Sequence, residues 1–435
     1  MKKYLVGFII LCLLSGLVFI MSCSTQQPPS PTGQKITYLR WMVDGNPIRK
    51  EQMAAFEKSN PDIKIKPDYP GINVTAEQKA LTQIVGGEPP DVFTVYGTNF
   101  FRVLSEKSAL LDLTPYIKKD NIDMTDFWPQ LKPFIYGDNG KIYGLPDNMT
   151  DLVVFYNKRL FQEAGIPFPK DGWTLDEMLD IAKKLTKRDS KTGRVMQYGI
   201  YYWKEVQPII WQFGGRLYSD DGKRCTFDSP ECLAAIEFVN DLQMKYHVMP
   251  TLAEENQIAN LGNWGGAMNL FTAEKVAMSV GGRYMTVSYR QRKDLEWSIA
   301  PLPRGKYPAN FAFSKSYVIP HNAKHPEESF RFVKFLADKE DELIVTRTGD
   351  GLPSRISVSK LPEFLFNPEF PKEDKNQIYL DEMQIARTVE ISPYVPGFEE
   401  ARILNEEFGK LWAKKQTPKE TVTNVAKQIN ALIKK

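Results

Sequence analysis

The sequence predicts an α/β fold in which helices pack on mostly parallel sheets. Apolar, β-rich runs at residues 35–43 and 89–97 enclose two helical segments and a half-buried strand, and this βαβαβ order is typical of helices that cover a parallel sheet. The length of 435 residues predicts two or three domains, or one large two-lobed body. With 42% hydrophobic and 25% charged residues, the composition is that of an ordinary globular protein.

Several helix starts carry their own signals. Pro47 suits the first turn of a helix that follows the first strand. Thr174 with Glu177, and Thr417 with Glu420, have the spacing of a capping box, in which a threonine side chain and a glutamate side chain bond each other's backbone amides. These patterns predict two further helices, the second of which is the last in the chain.

The amino-terminal segment is typical of an exported protein. Lys2, Lys3 and the uncharged run Tyr4–Met21 predict a signal peptide over residues 1–22, although this run is also long enough for a single transmembrane anchor. Ile20–Cys23 resembles a bacterial lipobox, which would make Cys23 the lipidated residue, and the Pro-, Ser- and Gln-rich stretch 23–34 suits a flexible tether. We expect a lipid anchor on the outer face of the bacterial membrane, or on its periplasmic side. A cleaved secretory signal and an uncleaved anchor are the alternatives.

Charge and motif content disfavour several function classes. Fifty-six Lys and Arg residues stand against 53 Asp and Glu residues, and a nearly neutral chain lacks the basic face that nucleic-acid binding needs. Three histidines leave little room for a metal site or a histidine relay. The chain contains no GxSxG, GxGxxG, P-loop or HExxH motif. We therefore expect no cofactor, no metal and no catalytic residue.

Two cysteines remain beyond the signal segment and the lipobox. Cys225 and Cys232 lie in the sequence RCTFDSPEC, where a turn could bring their Cβ atoms to bonding distance. Export would supply an oxidising environment, so we predict a disulfide between them. The alternative is a pair of small buried hydrophobic side chains.

Motifs in collinear order carry a resemblance that spans residues 36 to 430. They include AAFEKSNPDIKIK, GGEPPDVFTVYG, KIYGLPDN, VVFYNKRLFQEAGIPFP, GGRLYSDDGKRCTFDSPECLAAIEFVNDL and FTAEKVAMSVGGRYMT. In this order they resemble the extracellular solute-binding proteins of ABC transporters, in the branch that includes maltose- and oligosaccharide-binding proteins.

The resemblance implies a periplasmic-binding-protein-like fold of type II, with two lobes and a ligand cleft between them. Lobe one would comprise residues 34–147 and 316–388, and lobe two residues 148–315 and 390–435, with hinges at Pro146–Met149 and Phe313–Tyr317. The implied function is to capture a carbohydrate and deliver it to the permease subunits of an importer, as a monomer. A binding protein for another polar solute, such as a glycerol-phosphate, and an exported carbohydrate-active enzyme are the alternatives.

Sugars present apolar faces and a rim of hydroxyl groups, so a sugar site needs aromatic rings together with carboxylate, amide and guanidinium groups. By position relative to the family motifs, we predict ligand contacts from Trp41, Asp44, Tyr96, Asn99, Asp147, Asn148, Tyr202, Trp203, Trp211, Trp264, Gly282, Arg283, Tyr284, Tyr394 and Phe398. A core position is the alternative for Trp41 and for the aromatic cluster of Tyr202, Trp203 and Trp211. A purely structural hinge role is the alternative for Asp147 and Asn148, and a surface salt bridge for Arg283.

Overall fold

The structure is a computed structural model that describes residues 36–70, 76–202, 206–258 and 266–434. The predicted signal peptide, tether and lipidated Cys23 lie outside the described residues. Among the residues described, no helix combines the length and the apolar character needed to cross a membrane.

The strands are short and distributed along the whole described chain. They are β1 Thr37–Met42, β2 Ile63–Asp68, β3 Val92–Tyr96, β4 Gly144–Thr150, β5 Val153–Asn157, β6 Lys187–Arg188, β7 Val195–Tyr201, β8 Val276–Gly281, β9 Trp297–Ala300, β10 Asn310–Phe311, β11 Phe313–Val318, β12 Leu352–Pro353 and β13 Ala386–Arg387.

Helices fill most connections between these strands. They are α1 Ile48–Ser59, α2 Ala76–Val85, α3 Thr98–Glu106, α4 Thr114–Lys119, α5 Lys132–Ile135, α6 Lys158–Glu163, α7 Leu175–Leu185, α8 Gln207–Phe213, α9 Pro230–Met244, α10 Leu252–Ile258, α11 Gly266–Thr272, α12 Thr286–Tyr289, α13 Pro326–Leu336, α14 Lys339–Thr348, α15 Ile356–Ser359, α16 Pro362–Leu365, α17 Gln377–Met383, α18 Gly397–Trp412 and α19 Pro418–Ile433. Short 3-10 helices occur at Met124–Asp126, Pro129–Leu131 and Arg283–Met285.

The first sheet has six strands in the order β12-β4-β11-β3-β1-β2. β1 runs parallel to β2 and β3, whereas β11 is antiparallel to β3 and β4, and β12 is antiparallel to β4. Because β1 and β3 are parallel neighbours, the residues that follow them meet at one edge of this sheet.

The second sheet has five strands in the order β6-β7-β8-β5-β9. β7 and β8 are parallel, while β5 is antiparallel to β8 and β9. Helices α18 and α19 pack on the same core as β5, since Ile403, Val425 and Ile429 are buried with Val154 and Tyr156.

The chain passes between the two sheets at short segments. β4 of the first sheet ends at Thr150, and β5 of the second sheet begins at Val153. β9 of the second sheet is followed by β10 and then by β11 of the first sheet. β10 forms a separate parallel pair with β13, so this pair lies beside the passage points.

The α/β class predicted from the sequence is confirmed, but the sheets are not mostly parallel. Both are mixed, because the strands next to the passages between the sheets, β4, β5 and β11, pair in antiparallel fashion with their neighbours. The two predicted capping boxes are confirmed: Thr174 with Glu177 opens α7, and Thr417 with Glu420 opens α19.

Candidate functional site

A cluster of charged and phenolic side chains lies at the edge of the first sheet. Asp44 follows β1, Tyr96 ends β3, and Asp147 and Lys315 lie on the neighbouring strands β4 and β11. The Tyr96 hydroxyl donates to Asp44 Oδ2 at 2.7 Å. Lys315 Nζ lies 3.0 Å from Asp147 Oδ2 and 3.8 Å from Asp350 Oδ2. We call these five residues the sheet-edge cluster.

Arg49 contacts both Asp44 and Asp147 and thereby links two carboxylates of the cluster. Its guanidinium group is buried and reaches Asp44 through two nitrogens, with Nη2 at 2.9 Å and Nε at 3.2 Å, and it lies 3.5 Å from Asp147 Oδ2. The same group donates to Gln52 Oε1 at 2.8 Å. A planar guanidinium that binds a carboxylate through two nitrogens fixes the orientation of that carboxylate.

The charges in this cluster compensate the cost of burial. Burial alone would raise the pKa of the Asp44 carboxyl, but the charge and hydrogen bonds of Arg49, together with Lys315 and Tyr96, outweigh burial and hold this pKa well below its usual value. Burial would likewise raise the pKa of Asp147, and Lys315 and Arg49 lower it below the ordinary range. For Lys315, burial opposes the charged form, yet Asp147 and Asp350 raise the pKa of the ammonium group. Asp44, Asp147 and Lys315 therefore keep their charges at neutral pH.

The exposed fraction of each side chain shows which residues of the sheet-edge cluster can contact a ligand and which only support the others. The Asp44 side chain is 34% exposed and that of Lys315 is 17% exposed, whereas the Asp147 side chain is fully buried. The accessible edge thus presents a carboxylate beside an ammonium group, which together can accept from and donate to hydroxyl groups.

A cavity of about 400 Å³ opens between α8 and α18. The lining side chains are largely apolar, with several amides and two carboxylates; the lining residues are Asn99, Val206, Gln207, Ile210, Trp211, Leu217, Phe227, Val389, Glu390, Glu400, Ala401, Leu404, Asn405, Phe408, Gly409 and Trp412. Apolar walls with a few placed polar groups are typical of small-molecule sites.

Glu390 fixes the wall formed by α8 and the loop after it. Its carboxylate accepts from Trp211 Nε1 at 3.1 Å, from the backbone N–H of Leu217 at 2.7 Å and from that of Tyr218 at 3.2 Å. Arg216 Nε donates to the same carboxylate at 3.2 Å. With these partners, Glu390 orients the Trp211 indole in the cavity wall.

Glu400 is the second carboxylate of the cavity wall and accepts a hydrogen bond from the hydroxyl of Tyr218. Burial is the main influence and raises the pKa of Glu400 to about 7, against the opposing effects of Tyr218 and Arg102. Its charge therefore changes near neutral pH.

A row of aromatic rings leads away from the cavity. Ring centroids lie 6.2 Å apart for Trp211 and Phe311, 5.6 Å for the stacked pair Phe311 and Phe313, and 6.3 Å for Phe313 and Tyr284. Phe313 and Tyr284 are half-buried. Trp211 and Phe311 are themselves buried, so only Phe313 and Tyr284 offer partly accessible apolar faces of the kind on which a sugar ring can stack.

The structure brings several of the predicted contacts together. Asp44 and Tyr96 meet in the sheet-edge cluster, where the fully buried Asp147 supports them. Asn99 and Trp211 line the cavity, and Tyr284 ends the aromatic row. Trp203 and Trp264 lie outside the described residues.

The two predicted aromatics near α18 remain predictions. Phe398 is 67% exposed and Tyr394 46% exposed. They flank Gly397, where a Cβ atom would lie 3.1 Å from Asn99 Cβ. They are thus near the cavity mouth but are not among its lining residues.

Three predicted contacts, Trp41, Tyr202 and Arg283, occupy buried core positions in the structure. Trp41 is fully buried, with its ring centroid 5.0 Å from that of Phe332, because α13 covers strand β1. Tyr202 is buried in the core of the second sheet. Arg283 is 1% exposed and donates to the carbonyls of Gly351 at 2.8 Å and Thr346 at 3.2 Å.

Asn148 and Gly282 are also buried and make structural contacts. Asn148 is buried, and its Nδ2 donates to the Asp350 carbonyl at 2.8 Å. Gly282 is buried, and a Cβ there would lie 2.7 Å from Thr150 Oγ1. Close packing at this position therefore requires glycine.

The predicted disulfide is also wrong, since Cys225 and Cys232 are free, buried thiols. Cys225 is held by Asn430, which bonds both its N–H at 2.9 Å and its carbonyl at 3.0 Å, and Cys232 Sγ lies 3.5 Å from the Arg216 carbonyl. Burial is the main reason that the pKa of Cys225 rises to about 12 and that of Cys232 to about 11. Both therefore act as small buried side chains.

Sequence reasoning missed Lys315, Asp350, Arg49, Glu390 and Glu400. A charged residue inside a largely buried strand is unusual, and Lys315 lies in such a strand, whose last three residues are buried. This could have identified it as a functional candidate. Arg49 pairs with Asp44 only five residues away, but its contact with Asp147 and the partners of Asp350, Glu390 and Glu400 lie far away in the sequence. Within the described part of the chain, no group of three or more histidine, cysteine, aspartate or glutamate side chains is placed to hold a metal ion.

Comparison with known proteins gives a consistent result. The family model described as bacterial extracellular solute-binding protein matches residues 41–342. An arabinooligosaccharide-binding protein of Bacillus subtilis is 26% identical over 355 residues, which cover 78% of each chain. The maltodextrin-binding protein of the same organism is 23% identical over 399 residues, covering 91% of this chain and 89% of the relative.

Solved structures share the fold over nearly the whole chain. An ABC substrate-binding protein from Listeria monocytogenes, in complex with cycloalternan, superposes with a TM-score of 0.79 at 25% identity, covering 91% of this chain and 99% of that chain. A maltose-bound protein from T. maritima has a TM-score of 0.74 at 20% identity, with 91% and 99% covered.

Proposed function

The chain belongs to the family of bacterial extracellular solute-binding proteins, and from this premise we propose that it captures a carbohydrate for an ABC importer. One observation carries the proposal for the ligand: a polar cluster with exposed donor and acceptor groups lies in the same body as a cavity walled by aromatic and apolar side chains. A sugar needs both kinds of surface.

The cavity size and the relatives favour a saccharide of more than one ring. Ligand pockets typically begin at about 300 Å³, and the cavity alone has about 400 Å³. The two B. subtilis relatives are binding proteins for an arabinooligosaccharide and for maltodextrin. We propose that an oligosaccharide extends from the cavity past the half-buried rings of Phe313 and Tyr284 toward the sheet-edge cluster.

A glycerol-phosphate ligand is the weaker alternative. A phosphate needs arginine, lysine or helix amino termini around it. The described residues that line the cavity include two carboxylates, Glu390 and Glu400, and neither lysine nor arginine. A carboxylate-lined wall repels a phosphate and accepts from hydroxyl groups.

The lobes are proposed with the boundaries given by sequence: residues 34–147 and 316–388 in lobe one, and residues 148–315 and 390–435 in lobe two. The passages of the chain between the two sheets, near 150–153 and 311–313, support this division. The cleft between the lobes would then open at the sheet-edge cluster.

The cellular place of the protein follows from its proposed role. We propose that Cys23 carries a lipid that tethers the chain to the outer face of the membrane, where the permease subunits are its partners. A pneumococcal relative, 24% identical over 241 residues, is described as a solute-binding lipoprotein. If Cys23→Ser leaves the protein membrane-bound, the hydrophobic run Tyr4–Met21 is the anchor instead.

A ligand panel tests the function. The chain without residues 1–23 is titrated with arabinotriose, maltotriose, mannobiose, glucose and sn-glycerol 3-phosphate, and unfolding temperature and heat of binding are measured. A ligand that binds only the folded state stabilises it by RT ln(1 + [L]/Kd). We expect saturable stabilisation by at least one oligosaccharide, with no release of reducing ends. Stabilisation by sn-glycerol 3-phosphate alone would contradict the carbohydrate proposal.

A further inference from the structure

Three segments of the chain meet beside the passage between the two sheets. The first is Thr150–Val153 between β4 and β5, the second contains β10, and the third contains β13. β10 and β13 pair through their backbones: the N–H of Asn310 donates to the Ile385 carbonyl at 3.3 Å, and that of Ala312 to the Arg387 carbonyl at 2.8 Å. This pairing joins the second and third segments.

The side chain of Asn310 joins the first segment to the other two. Its Nδ2 donates to the Leu152 carbonyl at 2.7 Å, and its Oδ1 accepts from the Leu152 N–H at 3.1 Å. Nδ2 also donates to Glu382 Oε2 at 2.7 Å, and Oδ1 accepts from the N–H of Phe311 at 2.7 Å. The amide thereby uses both donors and both acceptor sites, and the residue is fully buried.

Glu382 connects this junction to the core around the second sheet. It lies on α17, is buried, and forms an ion pair with Arg304 through both of its oxygens. The backbone of Arg304 bonds Trp173 at 2.7 Å and Leu175 at 3.1 Å at the start of α7. A chain of hydrogen bonds thus runs from Leu152 through Asn310 and Glu382 to α7.

We infer that Asn310 is the positioning residue that fixes the three passage segments relative to one another and thereby sets the free-energy difference between open and closed forms. The inference rests on the proposed function, since it assigns to Asn310 the pivot of the movement that closes the lobes on a carbohydrate. Asn310 itself does not contact the ligand. A hinge must keep its segments together while backbone dihedrals change, and a saturated, buried amide does so without adding a charge.

The substitution Asn310→Asp isolates this role. Asparagine and aspartate have nearly the same shape, so packing is preserved. The change removes both Nδ2 donors and leaves an oxygen facing the Leu152 carbonyl and the Glu382 carboxylate. A buried acceptor without its donor is destabilising. The hydrogen bonds that are lost are the ones that join the passage segments to each other.

A matched control is present in the same chain. Asn157 is also fully buried, and its Nδ2 donates to the Glu274 carboxylate at 3.1 Å. It caps α6 and lies away from the three passage segments. Asn157→Asp therefore makes the same chemical change outside the junction.

Hydrogen–deuterium exchange and binding are measured on the wild-type protein and both variants. For Asn310→Asp we expect exchange about tenfold faster at residues 150–153 and 385–388, as the loss of a buried hydrogen bond predicts. We also expect affinity about three- to tenfold weaker for the panel sugar that wild type binds, arabinotriose or maltotriose. Asn157→Asp should change neither quantity. Adding Glu382→Gln to Asn310→Asp, which offers an amide donor to the introduced carboxylate, should recover part of the loss.

Each outcome bears on a different claim. If wild type binds sugar but Asn310→Asp exchanges like wild type at 150–153 and 385–388, the inference is overturned and the proposed function stands. An equal loss of affinity in Asn157→Asp overturns it as well, because the effect is then general destabilisation. If wild type binds none of the sugars, the proposed function fails. Should Asn310→Asp not fold, Asn310→Ser, which keeps one donor, takes its place in the same measurements.

Discussion

Tyr96 and Asp44 illustrate how single residues at the sheet edge divide their roles. Asp44 is accessible, and four donor groups orient it: two nitrogens of Arg49, the backbone N–H of Asn46 at 2.9 Å, and the hydroxyl of Tyr96 at 2.7 Å. Arg49 supplies the charge that keeps Asp44 ionised. The hydroxyl of Tyr96 adds direction from a neighbouring strand, so it should influence ligand binding more than stability.

Removing that hydroxyl gives the first prediction. Tyr96→Phe should weaken carbohydrate binding by about 0.5–1.5 kcal/mol, or about three- to tenfold, because Asp44 loses one of the bonds that orient it. The unfolding temperature should change little, since the ring is retained. Isothermal titration and thermal unfolding measure the two effects.

Tyr143→Phe is the control for this change. It removes a phenolic hydroxyl that accepts from Asn139 at 2.9 Å, on a loop away from the cluster. Equal affinity losses in both variants would show that Tyr96 has no special part in binding.

Glu400 gives a prediction about pH. Its pKa is raised by burial from 4.5 to about 7 in the folded protein, so the folded state binds the proton more tightly than the unfolded state. This contribution to stability is complete below pH 4.5 and is lost as the pH rises through 7. Between pH 5 and pH 8, wild type should lose about 2–3 kcal/mol of unfolding free energy relative to Glu400→Gln.

Urea unfolding of both proteins at the two pH values measures this difference. Glu406→Gln, at an exposed position on the same helix, is the control and should follow wild type. A wild type and a Glu400→Gln variant that change in parallel from pH 5 to pH 8 would mean that Glu400 titrates normally.

At the scale of elements, the carboxyl-terminal helix α19 depends on its first turn. The Thr417 hydroxyl accepts from the Glu420 N–H at 3.2 Å, and the Glu420 carboxylate accepts from the Thr417 N–H at 2.7 Å. The buried face of α19, which includes Val422, Val425 and Ile429, packs into the core of the second sheet. Fraying of this turn would therefore weaken a tertiary contact as well as a helix.

The corresponding prediction is that Thr417→Ala lowers the unfolding free energy by about 1 kcal/mol, the usual cost of losing an N-cap side chain. Thr417→Ser retains the hydroxyl and should recover most of this loss. Urea unfolding of the three proteins provides the measurement. If Thr417→Ser lowers the unfolding free energy as much as Thr417→Ala does, the methyl group of Thr417 is responsible for the loss and the hydroxyl cap is not.

At the scale of the whole molecule, a ligand can close the two proposed lobes only through contacts that are stronger in the closed form. The sheet-edge cluster belongs to the first sheet, while the cavity wall of α8 and α18 belongs to the core of the second. A carbohydrate that touches both would supply the required difference in affinity.

Closure predicts a smaller radius of gyration at saturating ligand. Small-angle scattering should show this decrease with the sugar that stabilises the protein most, and no change with a panel compound that does not bind. Saturation by calorimetry without any decrease would indicate a rigid binder.

The sequence by itself determined the α/β class, the order of the first strands and helices, both capping boxes and the family. These features are local or collinear: an N-cap depends on a residue three positions away, and a strand on its own apolar run. The sequence also predicted that Asp44 and Tyr96 lie close together. Each lies at the end of a strand, and neighbouring parallel strands end at the same edge of a sheet.

Only the tertiary structure decided how deep each residue lies and which charges meet. Trp41 is buried because Phe332 lies over it from a helix nearly 300 residues away, and Arg283 is buried because the segment around Gly351 closes on it. Arg49, Asp147 and Lys315 come from three distant stretches, yet they neutralise one another within 3.5 Å. Burial and charge compensation depend on packing between remote segments, and no local pattern in the sequence records that packing.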